Sequence, residues 1–119
     1  MTVEKKTDYG NINVSSDAVA SLVGGVITEC YGVVGMASRQ LVKDGWAELL
    51  KKDNYTRGVV VRRTENGLTV DLYIIVSFGV KISEVAQEAQ KKVKYVLEKS
   101  LSQEIEAVNV FVQGVHVIA

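Results

Sequence analysis

Two side chains in this sequence have the chemistry of a nucleophile and its base: the single cysteine, Cys30, and the single histidine, His116. A thiolate fed by an imidazole is a minimal pair for covalent catalysis. Their predicted surroundings speak against it. Cys30 falls at the C-terminus of a predicted helix, where the dipole opposes a thiolate, and His116 falls on a terminal strand, so the pair reads as a packed thiol and an ordinary strand histidine. One cysteine and one histidine cannot fill a structural zinc site, and no metal is expected. Asp71 has the right type for a general base, but the hairpin pairing gives it Arg62 as a cross-strand ion partner. The chain has no Lys-Ser/Thr phosphate loop and no dinucleotide fingerprint, so no cofactor is expected. No catalytic residues are assembled, and the chain does not read as an enzyme.

The remaining candidates are binding groups. Gly32-Val33-Val34-Gly35 has the GxxG spacing with which KH domains grip RNA backbones. Such a loop needs close phosphate approach in basic surroundings. Here the middle is Val-Val, and a helix cap running into a buried segment is the better reading. Lys91, Lys92, Lys94 and Lys99 crowd the second half of a long predicted helix, with Tyr95 among them. Lysines near a helix C-terminus are favoured by the dipole, and Glu88–Lys92 is an i,i+4 pair, which describes a solvated face. An aromatic beside lysines on a helix flank can also anchor a partner. Tyr73 and Ile75, on the outer face of a predicted sheet, are comparable. Partner binding is therefore assigned to Tyr73, Ile75, Lys91, Lys92, Lys94 and Tyr95.

These groups are positioned by residues 68–101. Leu68, Val70, Leu72, Ile74, Val76 and Phe78 point one way on a strand, since side chains alternate with a period of two. After Gly79-Val80-Lys81, the positions Ile82, Val85, Ala86, Ala89, Val93, Val96, Leu97 and Leu101 form one helical stripe. Six large apolar residues on that stripe, at ~1.5–3 kcal/mol each, contribute on the order of 10 kcal/mol gross. Before this unit, Gly58–Thr64 pairs with the long strand across an Asn66-Gly67 type I′ turn, placing Arg62 opposite Asp71. Upstream, residues 9–14 read as a short edge strand, and a helix capped by Ser15 or Ser16 runs to Tyr31-Gly32. Gly24-Gly25 inside that helix suggests close approach of another backbone. Val33–Ala37 reads as a short strand or a buried connection, and Leu41, Val42, Trp46, Leu49 and Leu50 suggest a second, shorter helix. Ala107–Ile118 is a last strand whose apolar face stays in phase only if it bulges at Gln113-Gly114. Strand, helix and strand in sequence imply a parallel pair with a right-handed crossover. The expected fold is α+β: a mixed four-stranded sheet with helices packed on one face, in the order β-α-(β)-(α)-β-β-α-β.

Length and composition agree with a single domain. At 119 residues the chain can bury a core without staples, with residues 1–8 as a flexible N-terminus and 9–119 as the domain. Fourteen basic residues balance fourteen acidic ones, so no net charge steers it to nucleic acid or anionic lipid. One cysteine cannot form an internal disulfide, which fits a reducing cytoplasm. The N-terminus is no signal peptide, and the longest aliphatic-aromatic run, Leu72–Val76, is far too short to insert in a bilayer.

Four segments in order carry a family resemblance: Gly32-Val33-Val34-Gly35-Met36-Ala37; Tyr73-Ile74-Ile75-Val76-Ser77-Phe78-Gly79-Val80-Lys81-Ile82-Ser83-Glu84-Val85-Ala86; Gln90-Lys91-Lys92-Val93-Lys94-Tyr95; and Val108-Asn109-Val110-Phe111-Val112-Gln113-Gly114-Val115. From about Tyr9 to the C-terminus the chain resembles the alkaline shock protein family of Gram-positive envelope stress response proteins, most of all its compact single-domain members. The resemblance implies a cytoplasmic protein without catalytic residues. Some members gather at the membrane through a partner protein and self-assemble; others touch cell-envelope or fatty-acid metabolism. The expected function is thus a non-enzymatic interaction or scaffold domain that forms homo-oligomers or docks on a membrane-anchored or metabolic protein partner. The alternatives are a weak RNA-binding module built on GxxG, or a small-ligand or acyl regulator.

Overall fold

The longest run of alternating apolar residues forms the strand against which the others are laid, β5 (Gly67–Ser77). In a computed structural model, which describes residues 2–37 and 58–117, both edges of β5 are occupied. One edge takes β6 (Ile105–His116), in parallel from Leu68 to Ser77. The other is shared end to end by two shorter antiparallel strands. β4 (Val59–Thr64) covers Gly67–Leu72, and β3 (Val33–Met36) covers Ile74–Val76. Four strands therefore make a sheet three strands wide. Ala37 N–H donates to Tyr73 O at 2.8 Å, and Val59 pairs with Leu72, so the two short strands meet β5 at adjacent positions.

The expected α+β fold is present, with α1 (Ser16–Thr28) and α2 (Ile82–Leu101) on one face. Leu68, Val70, Leu72, Ile74 and Val76 meet Val19, Val23 and Ile27 of α1 and Val85, Ala89, Val93 and Leu97 of α2 in one buried cluster. α1 starts where Ser15 Oγ accepts from Ala18 N–H at 3.1 Å, and Asp17 places a carboxylate in its positive first turn. α2 has no side-chain N-cap and ends at Ser102, a non-glycine residue in the left-handed region at φ +52°. Its last turn is held by Glu98, which accepts from Ile105 N–H at 3.1 Å and so ties the helix to the start of β6.

Several expectations change. Residues 2–7, expected as a mobile tail, form β1 (Thr2–Thr7), antiparallel to β2 (Gly10–Ser15), with Val3 buried in the core cluster. α1 stops at Thr28, short of Tyr31-Gly32. Gly24 is buried, but nothing lies within 4 Å of a Cβ placed on Gly25. Val33–Met36 is a strand. The β4–β5 turn centres on Glu65-Asn66, not Asn66-Gly67, because the positive φ sits on Gly67 (+132°) and Asn66 stays negative. The register moves by two residues, which preserves both faces. Phe78 lies beyond the end of β5 and is 71% exposed rather than in the core row. Ile82 is exposed at the start of α2. The bulge at Gln113 is present, and a second stands at Glu106. The shorter helix expected over Leu41–Leu50 lies outside the described residues.

Candidate functional site

On the sheet face opposite the helices, alternation brings up Thr69, Asp71, Tyr73, Ile75 and Ser77 of β5, beside Ala107, Asn109, Phe111, Gly114 and His116 of β6. This face has two halves. In the first, Asp71 Oδ1 accepts from Arg62 Nη2 at 3.1 Å and from Asn109 Nδ2 at 2.9 Å, joining β4, β5 and β6. The ion pair survives the two-residue shift because a diagonal neighbour lies within reach of a long side chain. Glu106 accepts from Thr69 Oγ1 at 3.4 Å and from Thr64 Oγ1. Asp71, expected on a solvated face, is only 9% exposed. It is packed sideways by its polar neighbours on the side of the sheet away from the core. In the second half, Tyr73 stacks on Phe111 at 4.9 Å between ring centroids and 13° between planes.

The six residues assigned to partner binding do not form one site. Tyr73 is half-buried in its stack, and Ile75 is only 7% exposed, which removes it as a ready contact. Both lie on the side of the sheet away from α2. Lys91, Lys92, Lys94 and Tyr95 are exposed on α2, where Lys99 Nζ sits 5.7 Å from the Tyr95 ring centroid.

A different cluster stands at the end of the sheet where β5 and β6 finish. Ser77 N–H donates to Gly32 O and Phe78 N–H to His116 O, both at 2.9 Å. These bonds draw together the turn after α1, the turn after β5 and the end of β6. Tyr31, Phe78, Ile82, Val115 and Val117 are all exposed there, Tyr31 by 86%. A cleft of about 230 Å³ opens between Tyr31 and the first two turns of α2, lined also by Lys81, Glu84, Val85 and Glu88. Lys81 pairs with Glu84 at 3.5 Å. An apolar rim with two carboxylates is chemistry for holding a partner's apolar or cationic side chains.

Residues 4–117 match the family model of alkaline shock protein 23, described as having a cell envelope-related function. The chain belongs to this alkaline shock protein family. It is the family that the four sequence segments indicated. The chain is 47% identical over 117 residues to "Uncharacterized protein YloU" of Bacillus subtilis (strain 168), covering 98% of each chain. It is 48% identical over 118 residues to "Uncharacterized protein Spy1614" of Streptococcus pyogenes serotype M6, covering 99% of this chain and 98% of that one. Among solved structures, MamM-CTD 215-293 is similar at 14% identity and a TM-score of 0.48, over 87% of this chain and 100% of that one, too slight a likeness to bear on function.

In this alkaline shock family chain, Cys30 and His116 are kept apart. Cys30 belongs to the core cluster on the helix side, its Sγ donating to Val26 O at 3.4 Å. Burial pushes its thiol up, against a smaller opposing pull from Lys92, so a thiolate is disfavoured. His116 pairs with Ser77 on the other side of the sheet and is exposed. The GxxG segment is no loop: Val33–Met36 is paired strand, and Gly35 is buried. Among the described residues, no helix is long and apolar enough to cross a membrane. The apolar end was missed by sequence reasoning because its members come from three segments far apart in the chain. The one local signal was Phe78 followed directly by Gly79.

Proposed function

We propose that this domain is a non-enzymatic interaction module of the cell envelope system, working in the cytoplasm by docking on protein partners, including further copies of itself. The observation that supports it most is the apolar end. Tyr31, Phe78, Ile82, Val115 and Val117 are exposed on or beside segments that the Ser77–Gly32 and Phe78–His116 bonds tie together, and exposed apolar groups gathered in this way mark contact surfaces. The separation of Cys30 from His116 and the raised Cys30 thiol support the non-enzymatic part.

A photo-crosslinking residue at Phe78 in living cells tests this. The expected result is a discrete protein adduct that Tyr31→Ser abolishes while the melting temperature stays within about 3 °C of wild type. A protein that yields no adduct and sediments as a monomer at cellular concentration would overturn the reading.

A further inference from the structure

The outward side of α2 carries its charges in two blocks. Glu84 and Glu88 stand in its first half; Lys91, Lys92, Lys94 and Lys99 follow, around the exposed Tyr95, while the third glutamate, Glu98, is half-buried and accepts from Ile105 N–H. The helix dipole accounts for Glu84 in the first turn and Lys99 in the last, because its influence fades within a turn of each end. It does not account for lysines in the middle. Nor do ion pairs: among the described residues Arg62–Asp71 and Lys81–Glu84 are paired, whereas Glu88, Lys91, Lys92 and Lys94 are exposed without an ion partner. Glu84, Glu88, Lys91, Tyr95 and Lys99 recur at steps of four, three, four and four. They therefore form one line along the helix.

That line is complementary to its own reverse. Laid antiparallel over a second copy about a two-fold axis beside Lys91, it sets Glu84 opposite Lys99 and Glu88 opposite Tyr95 and Lys94, twice over. Tyr95 then faces the cleft lined by Tyr31, Glu84, Val85 and Glu88. The axis then falls between Lys91 and Lys92, so these lysines of both copies lie near it, and their long stems let the charges splay into water. We infer that α2 is the seam of an isologous dimer, in which Tyr95 and its lysines on each copy enter the Tyr31–Glu84–Glu88 cleft of the other. This rests on the reading of the domain as an interaction module and names one of its partners as a second copy of this chain.

Charge exchange tests it on the intact protein. Glu84→Lys with Glu88→Lys makes the outward line of α2 basic throughout, leaving in the helix only one acid, Glu98, which is tied to Ile105 N–H, and Lys94→Glu with Lys99→Glu makes that line mostly acidic. By native mass spectrometry and sedimentation, wild type should dimerise, more weakly as salt rises. Each double variant should dimerise at least about tenfold more weakly, with circular dichroism and melting showing that it folds. Mixed one to one, they should form a heterodimer, because every acidic block then faces a basic one. Dimers that persist in both double variants, or a mixture that forms no heterodimer, would place self-association elsewhere and overturn the seam while leaving the interaction reading in place. A wild type that stays monomeric at about 100 μM, well above the Kd of ordinary specific complexes, would also overturn it, and the in-cell adduct at Phe78 would then decide the broader reading alone.

Discussion

The N-terminal hairpin β1–β2 and the central hairpin β4–β5 turn with the same four-residue pattern in different surroundings. Thr7-Asp8-Tyr9-Gly10 and Thr64-Glu65-Asn66-Gly67 both begin with a threonine whose Oγ1 lies 3.1 Å from the carbonyl oxygen of the closing glycine. Both glycines have positive φ, +138° at Gly10 and +132° at Gly67. A Cβ on Gly10 would meet nothing within 4 Å, whereas one on Gly67 would stand 2.5 Å from Glu104 O, the carbonyl that accepts from Leu68 N–H. In the first hairpin the glycine serves only the turn. In the second it also lets β6 begin alongside β5, so the chain after α2 docks through it.

The largest expected effect separates these two roles. Gly67→Ala combines backbone strain of ~1–3 kcal/mol with a clash against a hydrogen-bonded carbonyl that is not free to move. It should lose about 4 kcal/mol or more and more than about 10 °C in melting temperature. Thermal denaturation that finds Gly67→Ala no worse than Gly10→Ala would break the comparison, since the two would then differ in nothing but location.

The next effect asks what else ties the central hairpin to β6. Asp71 accepts from both flanking strands, through Arg62 and Asn109. Asp71→Ala removes two charge-assisted bonds and leaves the half-buried Asn109 amide short of an acceptor, for a loss of about 1–3 kcal/mol. Arg62→Ala should cost less, because that side chain is 54% exposed and its ion pair is screened. Chemical denaturation of the two variants orders them; equal losses would mean that Asn109 contributes little.

Gly10→Ala comes third. It carries the strain of ~1–3 kcal/mol but no clash, and it acts on a hairpin joined to the rest through Val3, Val14 and a bond from Gln103 Nε2 to Glu4 O at 2.7 Å. The expected result is local opening: faster amide exchange across β1 and β2, with exchange in β5 and β6 unchanged. Uniformly faster exchange would show that the N-terminal hairpin is part of the cooperative core.

The same two hairpins show what was legible in the sequence. The core row of β5 and the buried stripe of α2 could be read because alternation and helical spacing each persist over many residues. The register could not: Asn66-Gly67 is a strong local signal for a turn centred on that pair, yet Gly67 takes the paired position opposite Thr64, as Gly10 does opposite Thr7. β1 was missed because Glu4, Lys5 and Lys6 look like a solvated tail, and the apolar content of the strand that packs reduces to Val3. Among the candidate binding residues, Tyr95 and the α2 lysines were readable because exposure on a helix follows from its period. Ile75 is on the expected side of the sheet but more buried than expected, because alternation gives the side of a sheet, not the degree of burial. Tyr31, Phe78 and Val117 are brought together by hydrogen bonds between segments far apart in the chain, which no local pattern encodes.

The smallest effect completes the series, with a glycine that serves neither a turn nor a close approach. Gly25 sits inside α1 with ordinary helical φ, is exposed, and has open space where a Cβ would stand. Glycine there keeps the unfolded chain flexible without relieving strain in the folded one. Gly25→Ala should therefore stabilise the domain by about 0.5–1 kcal/mol, raising the melting temperature by a few degrees. Gly67→Ala, Gly10→Ala and Gly25→Ala thus add the same methyl group and are expected to run from strongly destabilising through locally destabilising to stabilising. If Gly25→Ala destabilises instead, α1 must be approached at that position by something that exposure and spacing do not register, and the neighbouring buried Gly24 would be the place to look for it.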